Sequence, residues 1–427
     1  MDKNNRDTRK YAREMDKADR LSSFRDRFYK KEGQLYMDGN SLGLCSLDAE
    51  EAILRVLNEW KERGIGVWTE PDPPLFTYHD YLAGMLAPLI GAEAEEVTIH
   101  ANTTVNIHTC IATFYKPTEK RYKILVDKLN FPTDLYAVEG QIKLKGLDPR
   151  ECMKMVESRE GNLLNEADIV AAMSDDVALI LLPSVLYRSG QLLDLFSITQ
   201  EAHRRGIVIG WDLSHSIGAV PHRFDKVQPD FAVWCNYKYM NGGPGTSAGL
   251  YINKQHFSLD AGLPGWHGNK YETQFQLNTQ FEKAEYAGGW QTGTQPVISM
   301  AAIEGSLKIY QEAGIENLRQ KSLRLTGYLM QLIDSKLEQY GFSIINPRED
   351  AQRGGHVALV HEEALRINEA LKAAGVVPDF RFPNVIRLAP VPLYTSFEDV
   401  YELVERIVDI MDHKKYEAYE KKIGLIA

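Results

Sequence analysis

The chain has 427 residues, of which 44% are hydrophobic and 25% charged, with a formal net charge of −10. That is long enough for two domains and ordinary for a globular protein. The negative balance leaves no basic surplus to neutralise phosphates, which argues against nucleic acid or an anionic membrane as the main partner. The four cysteines, Cys45, Cys110, Cys152 and Cys235, form no CxxC pair, so neither a zinc site nor a disulfide framework is expected. The charged start, Met1–Lys10, lacks the apolar stretch of a signal peptide, and no run of 18 apolar residues suggests a membrane span. A cytoplasmic location is the expectation.

In chain order, residues 1 to about 33 read as charged helix, and Tyr36–Gly43 as a turn-rich loop. Residues 48–63 place Ala52, Leu54, Val56, Leu57 and Trp60 at helical spacing. Short strands rich in Val and Ile are then expected at Tyr122–Asp127, Val177–Pro183, Ile207–Asp212, Phe231–Trp234 and Gly249–Ile252, with helices such as Glu166–Met173 and Leu195–Arg205 between them. This alternation predicts an α/β fold with a largely parallel sheet covered on both faces. Ligands of such sheets sit outside the carboxyl ends of the strands. The last third has helices at about 297–314 and 316–340, a strand at His356–Val360, a helix at 362–374, strands at Val376–Arg381 and Val385–Leu388, and a final helix at 396–412. A smaller α+β domain over 297–427 is expected, beside a large domain over 51–296 and a segment 1–50 packing with the small one.

The densest chemistry lies in Trp211-Asp-Leu-Ser-His-Ser216 and, farther on, Asn236-Tyr-Lys-Tyr-Met240 followed by Gly242-Gly-Pro-Gly245. An acid, a histidine and a lysine fall where buried runs meet loops. Enzymes of pyridoxal 5′-phosphate (PLP) need that set: a lysine to hold the cofactor as a Schiff base, and a carboxylate to keep the pyridine nitrogen protonated. Lys238 alone reads as a surface lysine, but two flanking tyrosines, an apolar run before it and glycines after it favour a site. Asp212 is either the pyridine partner or the N-cap of a following helix. His215 either packs on the cofactor ring and orients Asp212, or is a satisfied core histidine. Thr103 and Thr104 open a helical stretch, which suits a phosphate or plain capping. Phe131 could stack on a planar cofactor and Asp134 could bond nearby polar groups, although Phe131-Pro-Thr-Asp134 alone reads as an ordinary turn. Gly242–Gly249 does not fit GxGxxG, which weakens a nicotinamide reading.

With those residues in place, the chain resembles kynureninase, a fold-type I PLP-dependent hydrolase, over nearly its whole length. The resemblance is carried by Asp38-Gly-Asn-Ser-Leu-Gly43, Thr104-Val-Asn-Ile-His108, Phe131-Pro-Thr-Asp134, Asp212-Leu-Ser-His215, Trp234-Cys-Asn-Tyr-Lys-Tyr239, Gly265-Trp-His-Gly268 and Ile386-Arg-Leu-Ala-Pro-Val-Pro-Leu-Tyr394. It implies that Lys238 binds PLP and moves protons, that Asp212 faces the pyridine nitrogen beside His215, and that Phe131 stacks on the ring. It further implies that Thr103, Thr104 and Tyr237 hold the phosphate or adjacent groups. Trp266 and Thr294 would reach the phosphate from a partner subunit, so a homodimer is implied. Arg387 would clamp the substrate carboxylate, which suits a bidentate guanidinium; the bland alternatives are a surface ion pair for Arg387 and core packing for Trp266. The implied reaction is hydrolysis of L-kynurenine, or its 3-hydroxy form, to anthranilate or 3-hydroxyanthranilate and L-alanine, in tryptophan degradation and NAD biosynthesis.

Three departures bear on the details. Pro183 stands where related enzymes can carry a hydroxyl, Thr294 stands where some have Asn, and Lys61–Val67 lacks a histidine that some use near the substrate ring, leaving Trp68 to fill that place. Among competing readings, a cysteine desulfurase needs a reactive cysteine well after the lysine, and the last one here is Cys235. An aminotransferase would share the lysine, acid and arginine. A non-catalytic PLP-fold protein would have no need of an intact Lys238 and Asp212.

Overall fold

A computed structural model describes residues 6–421. The first five residues of the expected N-terminal helix, and of the stretch read for a signal peptide, lie outside the described residues, as do the last six of the C-terminal segment.

Seven strands form the central sheet: β1 (Val97–His100), β2 (Lys123–Asp127), β3 (Met153–Val156), β4 (Val177–Pro183), β5 (Val208–Asp212), β6 (Phe231–Trp234) and β7 (Ala248–Ile252). Their order across the sheet is β1-β7-β6-β5-β4-β2-β3. The run from β3 to β6 is parallel. Only β7 runs against its neighbours, β6 and β1. The inner strands are buried on both faces, which is why they read as continuous apolar runs without alternation. Two strands escaped sequence reading. β3 is an edge strand with half-exposed residues and no apolar run, and β1 is only four residues long before its helix begins. Glycine is required inside this sheet at Gly210, where a Cβ would meet the Phe231 ring at 2.0 Å.

The C-terminal region builds a second, antiparallel sheet from β8 (Ser343–Ile344), β9 (Val357–Val360), β10 (Asp379–Arg381) and β11 (Val385–Leu388), in the order β10-β11-β9-β8. Helices Ile315–Lys336, Ala364–Ala373 and Phe397–Asp412 share an apolar core with it, through Leu329, Ile333, Leu359, Ile367, Ile386 and Leu403. The expected strand Val376–Arg381 divides at Pro378, which has no N–H to donate to a ladder. Its first half, Val376–Val377, pairs instead with Leu35–Tyr36. Helix Val297–Ala313 packs the other way, placing Met300, Ile303 and Leu307 in the core beneath the large sheet with Val56 of helix Leu47–Arg63.

The N-terminal segment is not one long helix. Helix Arg9–Lys17 is capped by Thr8, and a short 3₁₀ turn follows at Ser22–Arg27. Between them Asp19 accepts from Leu21 N and pairs with Lys321 at 2.7 Å, both side chains buried. The chain then becomes a strap. Met37 N donates to Val377 O, Ala389 N donates to Met37 O, and Gly43 N donates to Tyr237 O. No helix among the described residues is long and apolar enough to cross a membrane.

Candidate active site

β1, β2, β4, β5 and β6 end on the same edge of the sheet, because all five point one way. The loops that leave this edge carry Thr103 and Thr104, Phe131 and Asp134, Tyr187, Asp212 and His215, and Tyr237 and Lys238. The topology alone therefore gathers residues scattered in sequence from Thr103 to Lys238 onto one rim.

Lys238 lies in a loop that is locked rather than free. Trp234 Nε1 donates to Asn236 Oδ1 at 3.0 Å, Asn236 Nδ2 donates to Ser247 O at 2.8 Å, and Gly242 N donates to Asn236 O. The strap presses on the same loop: a Cβ on Gly43 would lie 2.4 Å from Lys238 O. The Lys238 amine sits 2.9 Å from His215 Nε2, 5.8 Å from the centre of the Phe131 ring and 6.0 Å from that of Tyr237. The His215 ring is pushed well below its ordinary pKa by burial, and next by the charge of Lys238, so it is neutral and can accept from the ammonium. Phe131 is 43% exposed and stands nearly perpendicular to Tyr187, with ring centres 5.4 Å apart. Burial raises the Tyr237 phenol, with Cys235 adding to the effect.

Asp212 closes β5. It does not cap a helix; its Oδ1 accepts from Ser214 N at 2.7 Å in a turn. Burial raises its pKa, while Lys238 opposes the shift. Asp134 is driven much higher, first by burial and then by Asp212 and Asp127. Two buried acids thus influence each other beside a lysine, with polar atoms to spare: among the described residues both Asp134 carboxyl oxygens and His215 Nδ1 have no hydrogen-bond partner.

Thr103 and Thr104 form the first turn of helix Thr103–Phe114, but the cap is Asn102, whose Oδ1 accepts from Val105 N at 3.0 Å. The threonine hydroxyls are not spent on capping, and the free N–H groups of that turn point an anion site at the rim.

Arg387 is 1% exposed, so it is no surface ion pair. It stands directly across the hairpin from Asp379, and Asp379 Oδ2 accepts from both its Nε and its Nη2. Nη1 donates to Tyr187 O at 2.7 Å, and Nη2 donates to Ser41 Oγ at 3.0 Å. The fork therefore points between the strap and the loop after β4. Asp379, Ser41 and Tyr187 were not singled out from sequence. The hairpin offered a signal: a turn centred on Pro383 pairs Asp379 with Arg387.

Trp68, Trp266 and Thr294 are not joined to this group by any hydrogen bond or ring contact among the described residues. Trp68 meets Phe76 edge-on at 6.4 Å, and Phe76 and Trp266 both meet Phe275, at 5.4 and 5.7 Å. Trp266 is 40% exposed, so it is not core packing. Pro183 ends β4 as expected, and the hydroxyl beside it, on Ser184, is turned inward to Asp212 O.

This set fits PLP. It offers an amine, an exposed aromatic plate, a buried acid pair and a helix N-terminus with unspent hydroxyls. Comparisons with known proteins agree. Residues 318–407 match the family model described as kynureninase C-terminal domain. Curated kynureninases from Bacillus cereus, Geobacillus thermodenitrificans and Shouchella clausii are 53%, 51% and 48% identical, each over 98% of both chains. Among solved structures, the cystine C-S lyase C-DES in complex with cysteine persulfide aligns with a TM-score of 0.77 at 18% identity, covering 88% of this chain and 98% of its own. An apo cysteine desulfurase from Thermococcus onnurineus aligns with a TM-score of 0.73 at 16% identity, covering 92% and 98%. Those two likenesses concern the fold. Identity of about half over nearly full length shows the family: the chain belongs to the kynureninases.

Proposed function

We propose that this chain is a PLP-dependent hydrolase that cleaves L-kynurenine to anthranilate and L-alanine. The observation that carries the reading is the Lys238 amine, held 2.9 Å from a neutral His215 and beside the exposed ring of Phe131, on the same rim as the buried Asp212–Asp134 pair.

When bound, PLP supplies an aldehyde that condenses with amines and a ring that stores the electrons released at Cα. The residues do the rest. Lys238 would hold the cofactor before substrate arrives, and its freed amine would then take the proton from the substrate Cα. His215, neutral and hydrogen-bonded to that amine, keeps it aimed. Asp212 would keep the proton at the pyridine nitrogen, with the buried Asp134 carboxyl beside it adding to the field it feels. Thr103, Thr104 and Tyr237 would hold the phosphate and its surroundings, and Phe131 would stack on the ring. Tyr237, whose phenol burial raises, would return a proton at Cβ once the Cβ–Cγ bond breaks. Arg387 would receive the substrate carboxylate, and Trp68 would lie near the substrate ring.

We further propose a homodimer in the cytoplasm, with Trp266 and Thr294 lending contacts to the partner's cofactor. The support is an exposed apolar stretch around Trp266, Tyr271, Phe275, Leu277 and Phe281, which a lone chain would leave in water. The domain limits 1–50, 51–296 and 297–427 are proposed as working units, and the packing of helix Val297–Ala313 beneath the large sheet supports a boundary somewhat later.

The test is an absorbance scan of purified protein with added PLP, followed by L-kynurenine and its 3-hydroxy form. A cofactor band with stoichiometric anthranilate and alanine is expected. Amine transfer to a keto acid without anthranilate would replace this reading with an aminotransferase.

A further inference from the structure

Behind Lys238, the strap and the hairpin enclose four charged side chains: Asp38 from the strap, Asp379 and Arg381 from β10, and Arg387 from β11. Asp379 is fully committed. It pairs with Arg387 and, at 3.1 Å, with Arg381. Both guanidiniums also share Ser41, with Nη2 of Arg381 at 3.3 Å and Nη2 of Arg387 at 3.0 Å from its Oγ. Among the described residues Asp38 makes no ion pair, and its Oδ1 is buried without a partner. With Asp38 ionised the quartet is neutral, with two cations and two anions.

A substrate carboxylate arriving at Arg387 brings a third anion into this dry space. An uncompensated buried charge is costly, so one acid must lose its charge. Asp379 is already engaged by two guanidiniums, and Asp38 by none among the described residues. We propose that Asp38 takes up one proton from solvent as the substrate carboxylate docks on Arg387, keeping the buried quartet neutral. The inference rests on the reading of Arg387 as the carboxylate clamp.

Other groups facing Asp38 do not compete for that proton. Tyr36 on the strap, Tyr239 beside Lys238 and Tyr394 after β11 all feel its charge, and burial raises each phenol, that of Tyr36 to about 12. His356, before β9, is held neutral by burial at about 3, and His215 also lies well below its usual range. Asp38 itself is lifted to about 7, first by burial and then by Asp379, against the pull of Ser41, Arg387 and Arg381. The sign follows. Below about 7 the proton is already in place; above it, each docking event must draw one from water, so binding weakens as pH rises.

The experiment measures KM and kcat of the holoenzyme for L-kynurenine between about pH 6 and 9, for wild type, Asp38→Asn, Asp38→Glu and Arg387→Gln. The wild-type KM should climb toward tenfold per pH unit above about 7, since one proton is linked to binding. Asp38→Asn should remove that limb and Asp38→Glu should retain it. An equal rise in Asp38→Asn, whose substrate ionises identically, would overturn the proposal. Unaltered kinetics in Arg387→Gln would instead overturn the clamp itself. A second measurement needs no Asp38 variant. Wild-type holoenzyme is mixed with 3-benzoylpropanoate, a carboxylate without an α-amine, in weakly buffered dye solution at about pH 7.5. Uptake of up to about three quarters of a proton per site, absent in Arg387→Gln, is expected; binding without uptake refutes the role of Asp38.

Discussion

At the amino end of β6, Asp230 is saturated: His203 and His256 bond it through Nε2 at 3.0 and 2.6 Å, and Ile209 N donates to it at 2.7 Å. Burial alone would raise its pKa, yet these donors hold it below the ordinary value. At the carboxyl end of the neighbouring β5, Asp212 is also buried but its carboxylate receives one backbone N–H, from Ser214, and burial wins. Both aspartates flank strands of one sheet, Asp230 just before β6 and Asp212 as the last residue of β5. The difference lies in what is left over. The amino edge has spent its donors on the acid and is finished as structure, whereas the carboxyl edge keeps Asp134, His215 and Lys238 for something that is not protein.

Substitutions at the two edges should therefore separate activity from stability. The largest effect belongs to Lys238→Ala: turnover and the lysine-bound cofactor band should both vanish, while the melting temperature of the apoprotein stays near wild type. Turnover at the wild-type rate would remove Lys238 from the chemistry. Next is Asp230→Ala at the opposite edge, which strands Ile209 N and two imidazoles. It should cost about 1–3 kcal/mol in urea titrations, with kcat per folded molecule unchanged; lost activity without lost stability would erase the contrast. The smallest is Trp266→Ala. It should weaken PLP retention by about 1 kcal/mol, the scale of one aromatic contact, with Lys238 chemistry intact. Equal cofactor affinity would leave the site to a single chain.

Much of the central sheet was legible because buried parallel strands read as plain apolar runs, and Val177–Pro183 and Phe231–Trp234 were bounded to the residue. Lys238 and Asp212 were legible because their strands end in loops with unusual polar content. What stayed hidden was non-local. β3 lacks an apolar run because it is an edge. Pro378 divides what the pattern joins, and the partner of its first half lies near the other end of the chain, at Leu35–Tyr36. The Asp379 contact depends on hairpin register, and Ser41 reaches Arg387 only because the strap is threaded between the two sheets. Asn102, not a threonine, caps its helix, since an Asn side chain reaches Val105 N from one residue earlier.

That threading has a consequence for how the molecule is made. Tyr36–Gly43 is synthesised almost first, yet its hydrogen-bonding partners are Val377, Ala389 and the backbone at Tyr237. Contacts of such sequence separation form slowly, because a long loop must close before any of them repays its cost. On the ribosome the strap must wait, exposed, until nearly the whole chain has emerged. The large sheet can assemble during translation, but the contact of Ser41 with Arg387 forms only once the end of the chain is free. A shortened N-terminus would then yield a protein with a folded sheet and Lys238 in place, but with the Arg387 guanidinium missing one of its partners.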